Sequence, residues 1–141
     1  MENLIPLHIP SGWAICYNQF IDEDPITTEN SEYFKNWDAY KESLLQIKRL
    51  DLRNGSHFIP KKTILIDLGW TPEASIHGSF KLIMVNYDLN TEQRWDTIET
   101  YTSKDRFDIQ SKIEEWLLKM SIRYSTNMTT EEIARMLTYE I

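Results

Sequence analysis

Over roughly its first hundred residues this chain places apolar side chains at a period near two, and beyond them the period becomes that of a helix. Residues 13–20, Trp-Ala-Ile-Cys-Tyr-Asn-Gln-Phe, are aromatic and partly β-branched and follow Pro10-Ser11-Gly12, which predicts a strand. Residues 44–52 predict a second. Asn54-Gly55 then predicts a tight hairpin, because both residues tolerate the positive φ of a type I′ turn. His57-Phe58-Ile59 begins the return strand, which Pro60 interrupts. Residues 63–70 and 80–88 predict two strong strands; the second is apolar on both faces in its middle, as a strand covered on each side would be. Residues 95–102 alternate more openly and predict a peripheral strand.

From Ser103, a candidate cap, the pattern is helical: Ile109, Ile113, Trp116, Leu117 and Met120 form one stripe, with Lys112, Glu114, Glu115 and Lys119 opposite. Thr129-Thr130-Glu131-Glu132 is a capping box, and Ile133, Met136, Leu137 and Glu140 complete a short terminal helix. Strands first and helices last predict an α+β fold: an antiparallel sheet of about five to six strands with C-terminal helices packed on one face. At 141 residues, with no linker rich in Gly, Ser or Pro, residues 1–141 read as a single domain.

Residues 21–42 interrupt this regularity. They are acidic and polar, with a loop signal at Pro25 and Thr27-Thr28-Glu29-Asn30-Ser31. Tyr33, Phe34, Trp37 and Tyr40 follow at a spacing that suits a short helix or turn. Charge is concentrated in the same place. Residues 1–46 hold eight carboxylates (Glu2, Asp22, Glu23, Asp24, Glu29, Glu32, Asp38, Glu42) against Lys35 and Lys41, a net charge of −6 of the whole chain's −7. Such a surface attracts a basic partner and repels nucleic acid. Asp22, Glu23, Asp24, Glu29 and Glu32 are the candidate contacts. Tyr33, Phe34, Trp37 and Tyr40 are candidate anchors, since Trp and Tyr dominate interface hot spots; the alternative for these rings is core packing.

Chemistry is sparse. The lone cysteine, Cys16, permits no internal disulfide and reads as a small buried apolar side chain. His8, His57 and His77 form no metal-ligand spacing, Asp22-Glu23-Asp24 lacks the glycine and closing Glu of a calcium loop, and Glu114-Glu115 point about 100° apart on a helix. No cofactor, metal or catalytic residue is expected, and the chain reads as a non-enzyme. Asp67 suits a turn cap. A rival reading makes the chain a small-ligand-binding or enzymatic domain, with a pocket between sheet and helices lined by Asp67, Trp70, His77 and Trp95. No apolar run is long enough to span a membrane, and the opening Met-Glu-Asn-Leu-Ile-Pro-Leu-His matches no secretory signal, so a cytoplasmic setting is expected.

Ile9-Pro10-Ser11-Gly12-Trp13, the Asp22-Glu23-Asp24-Pro25 turn, Asp67-Leu68-Gly69-Trp70-Thr71-Pro72, Gly78-Ser79-Phe80 and Ser103-Lys104-Asp105-Arg106 together resemble small bacterial immunity proteins of polymorphic or contact-dependent growth-inhibition toxin systems. The likeness covers roughly residues 9–120. It implies a cytoplasmic toxin inhibitor that binds one cognate toxin domain and occludes its active or substrate-binding face. Many such toxins are nucleases with basic substrate-binding faces, which agrees with the acidic first third.

Overall fold

The computed structural model describes residues 3–138. Glu2 of the acidic first third and Glu140, expected in the terminal helix, lie outside them. Seven strands and two helices follow in order: β1 (Trp13–Asn18), β2 (Leu45–Arg49), β3 (Asp51–Arg53), β4 (Ser56–Phe58), β5 (Lys62–Thr71), β6 (Ser79–Asp88), β7 (Trp95–Ser103), α1 (Arg106–Arg123) and α2 (Thr130–Met136). The fold is α+β. Five strands form an antiparallel sheet in the order β1-β2-β5-β6-β7, and β3 and β4 form a separate two-stranded hairpin.

The long β5–β6 pair sets the register of everything else. Ile64, Ile66, Leu68 and Trp70 on β5, with Phe80, Leu82 and Met84 on β6, all join the core cluster with Ile109, Ile113, Trp116, Leu117 and Met120 of α1. The intervening residues, Leu65, Asp67 and Gly69 with Lys81, Ile83 and Val85, point to the opposite face. No helix covers that face among the described residues. Leu65 and Val85 are nevertheless buried in its middle, while Lys81 is exposed and Asp67 half-buried. The apolar middle of residues 80–88 thus reflects burial on both faces, with helical cover on only one.

Several local expectations are corrected. Residues 44–52 are not one strand: pairing with β5 stops at Lys48↔Leu65, β2 ends at Arg49 and Asp51 begins a strand of a different sheet, although the Leu50 N–H still donates to the Gly12 carbonyl at 2.7 Å in the β1–β2 register. The hairpin turn itself is as expected, with Asn54 at φ 52° and Gly55 at φ 81°. Asp105 caps α1, its side chain accepting from the Phe107 N–H, while Ser103 Oγ accepts from the Asp105 N–H one step earlier. Cys16 is exposed, at the register shift between Ile15 and Tyr17 where β1 bulges against β2. The capping box forms at Thr129 as its sequence dictates, with both the Thr129 and Glu132 side chains engaged. Lys119, buried on α1, donates to the Leu137 carbonyl at 2.7 Å, placing a cation at the C-terminal end of α2.

Candidate functional site

Residues 21–42 close one end of the sheet, against the β5–β6 connection. Phe34 N–H donates to the Ala74 carbonyl, Ile76 N–H to Glu32, Ala74 N–H to Tyr40 and Trp70 N–H to Lys41. Only one short helical turn forms here, the 3₁₀ turn Trp37–Ala39. A segment so poor in regular structure needs other partners for its backbone, and side chains supply them.

Asn36 is the centre of that network. Its Nδ2 donates to Glu23 Oε1 at 2.8 Å and to the Asp24 carbonyl at 2.9 Å, while its Oδ1 accepts from the Ile26 N–H at 2.9 Å. Tyr40 hydroxyl donates to the Glu23 carbonyl at 2.7 Å. Burial pushes the Tyr40 hydroxyl up to about 12, with the nearby Arg106 guanidinium working against the shift. Arg106, in the first turn of α1, reaches across to donate from Nε to Asp22 at 2.9 Å and from Nη1 to Asp24 at 2.7 Å. Asn36 and Arg106 were not legible as site residues in the sequence. An isolated Asn and a helix-start Arg have no periodic signature, and their partners are 10 to 84 positions away.

The acidic segment therefore divides. Asp22, Glu23 and Asp24 are tied to Arg106 and Asn36, and their charge is partly offset within the molecule. Glu29, Glu32, Asp38 and Glu42 join no ion pair among the described residues. The four aromatics divide as well. Phe34 and Tyr40 are buried, packed with Trp70 and Phe80 in one cluster whose ring centroids lie 4.8–5.8 Å apart. As core residues they offer no contact surface, which corrects their candidacy as anchors. Tyr33 and Trp37 are 61% and 58% exposed. Lys41 Nζ sits 5.3 Å from the Trp37 ring centroid, so that ring already engages a cation.

The pocket expected between sheet and helices is not assembled. Trp70 lies in the aromatic core and donates its indole N–H to the Ser75 carbonyl at 2.9 Å. His77 is exposed in the β5–β6 connection, and Trp95 stands at the opposite end of the sheet beside Tyr87. Asp67 caps no turn; it lies inside β5 on the face without helices. There it borders two open hollows, one of about 260 Å³ with Glu42, Gly69, Thr71, Lys81 and Ile83, the other of about 210 Å³ with Tyr17, Ser43, Leu45 and Gln46. Burial raises the Asp67 carboxyl above its usual range, and a hydrogen bond with Gln46 opposes that shift. Among the described residues no group of three His, Cys, Asp or Glu is placed to hold a metal ion. None of their helices is long and apolar enough to cross a membrane. Compared with known proteins, the chain matches no family model, no curated protein and no solved structure.

Proposed function

We propose that this protein is a non-enzymatic inhibitor that binds a cognate bacterial toxin domain and covers its active or substrate-binding face. The observation that carries the reading is the pairing, in one braced segment, of two exposed aromatic rings with carboxylates that join no ion pair among the described residues. Tyr33 and Trp37 project from residues 21–42, whose backbone is held by Asn36 and Tyr40 and whose Asp22 and Asp24 carboxylates are held by Arg106. Interface anchors are enriched in Trp and Tyr, and a segment already ordered loses little entropy on binding. Glu29, Glu32, Asp38 and Glu42 favour a Lys- or Arg-rich partner and speed its approach at low salt. A nuclease domain fits that description.

A growth-rescue assay tests the reading. The domain encoded immediately upstream of this chain in its host genome is expressed with and without it; the proposal expects toxicity, specific rescue and a complex that co-purifies. Toxicity that persists without any complex rules the proposal out.

The hollows around Asp67 support a second reading, a small-ligand site on the open sheet face, because a carboxylate is kept there at a desolvation cost. Replacing Asp67 with Asn and comparing the ligand-induced rise in melting temperature tests it. A rise of equal size in both proteins removes Asp67 from any such site.

A further inference from the structure

The β3–β4 hairpin stands apart from the rest of the fold. It pairs with no other described strand, and none of its strand residues is buried. A two-stranded hairpin on its own is marginally stable in water, so a surface that covers it adds stability. Leu52 on β3 and Ile59 just after β4 are 59% and 49% exposed. The segment is also basic. Residues 48–62 hold Lys48, Arg49, Arg53, Lys61 and Lys62 against Asp51, a net charge of +4 in a chain of −7. None of these cations joins an ion pair among the described residues. Arg49 and Lys62 donate to the carbonyls of Met120 and Met128, Lys48 lies over the Tyr87 ring, and Asp88 faces Lys62 across the β5–β6 register. Arg53, stacked on the Phe58 ring, and Lys61 are exposed and carry the outward charge of the hairpin.

A surface of matching chemistry lies at the other end of the same sheet. β2 ends at Arg49 and β5 begins at Lys62, whereas the Lys41 carbonyl accepts from Trp70 and the Leu44 N–H donates to Leu68. The hairpin and residues 21–42 therefore flank opposite ends of β5, about 30 Å apart for a strand of ten residues, and cannot meet within one chain. Residues 21–42 expose Tyr33 and Trp37, with Glu29, Glu32, Asp38 and Glu42 in no ion pair among the described residues. We propose that the hairpin docks on a second copy of this chain. A two-fold axis perpendicular to the strands turns the copies end for end, so that each hairpin seats on the residues 21–42 of the other. Such a contact closes at two copies. It sets Leu52 and Ile59 against Tyr33 and Trp37, and Arg53 and Lys61 against the carboxylates. Joining hairpin to hairpin, or acidic end to acidic end, would set like charges together. The dimer needs no toxin; where toxin binding holds, the second copy and the toxin compete for Tyr33 and Trp37.

The test is sedimentation velocity of the full chain over a range of concentrations, at about 0.01 M and about 1 M salt, between which the Debye length falls from about 30 Å to about 3 Å. The proposal expects a monomer–dimer equilibrium whose dissociation constant rises by about ten-fold or more at high salt. Two charge-reversed chains then identify the contact: Arg53→Glu/Lys61→Glu makes both ends acidic, and Glu29→Lys/Glu32→Lys makes both ends basic. Each alone should dimerise at least about ten-fold more weakly, and an equimolar mixture should recover the dimer, because opposite charges then face each other at both contacts. The proposal is overturned by a monomer at every concentration in low salt, by a dimer indifferent to salt, by reversed chains that self-associate undiminished, or by a mixture that stays monomeric while both chains keep the urea midpoint of the unaltered protein. The salt comparison uses the unaltered chain, so it can overturn the proposal even where a variant fails to fold.

Discussion

Asn36 spends its entire amide inside the acidic segment, on one carboxylate, one carbonyl and one backbone N–H. Asn36→Ala strands the Ile26 N–H and the Asp24 carbonyl together. A loss of about 2 kcal/mol in urea unfolding is expected, since each buried group left unpaired costs about 1–3 kcal/mol and some water will enter. Tyr40 and Tyr124 carry a pH dependence. Burial, the larger cause in each case, pushes both hydroxyls up to about 12 from an ordinary 10.0. Between those values the unfolded chain ionises while the folded chain holds its protons. Their contribution to stability is therefore complete below pH 10 and is lost as pH rises toward 12. Urea midpoints should fall through that window, and Tyr40→Phe with Tyr124→Phe should flatten the fall. An equally steep fall in the double variant would assign it to other groups.

At the level of elements, β5 depends on one missing side chain. A Cβ built on Gly69 would stand 1.8 Å from the Glu42 carbonyl oxygen, where the chain entering β2 crosses the strand. Backbone cannot rotate away as a side chain can, so Gly69→Ala should cost about 3 kcal/mol by chemical denaturation. A melting curve unchanged by that substitution would mean the crossing can relax. The regular elements were legible because their patterns are strong: β5 is apolar and buried almost throughout, β7 alternates, and the α1 stripe at Ile109, Ile113, Trp116, Leu117 and Met120 is wholly buried. The break at Leu50 was not, since it lies where pairing with β5 stops and pairing with β4 begins, a change of partner that the apolar pattern of residues 44–52 does not mark. The candidate site was legible only in outline. In residues 21–42 charge marked the segment, but only the short turn Trp37–Ala39 forms there, so the helical spacing of the four rings did not tell Phe34 and Tyr40, which are buried, from Tyr33 and Trp37, which are exposed. Asp67 was misread as a turn cap because Gly69 and Pro72 follow it, whereas β5 continues to Thr71.

Across the whole molecule, the helices and residues 21–42 are arranged around a single sheet. The helices stabilise one face and leave the other open around Asp67. Residues 21–42 close one end, with Glu29, Glu32, Asp38 and Glu42 in no ion pair among the described residues, and the β6–β7 hairpin with the start of α2 lies at the other. Arg106 links the first of these ends to α1, so Arg106→Ala should loosen residues 22–24 selectively. Faster amide exchange there, with the sheet amides unchanged, is the expected result; uniform loss of protection would instead make Arg106 part of the global fold. Under the proposed function, the exposed Tyr33 and Trp37 are contact surface, while Phe34 and Tyr40 are core. The direct measurement is the affinity of the Tyr33→Ala/Trp37→Ala chain for the toxin domain proposed as its partner, taken beside its urea midpoint. The account predicts binding weakened by about 2 kcal/mol or more, roughly thirty-fold, with stability changed by less than about 1 kcal/mol. Undiminished affinity at undiminished stability would contradict it.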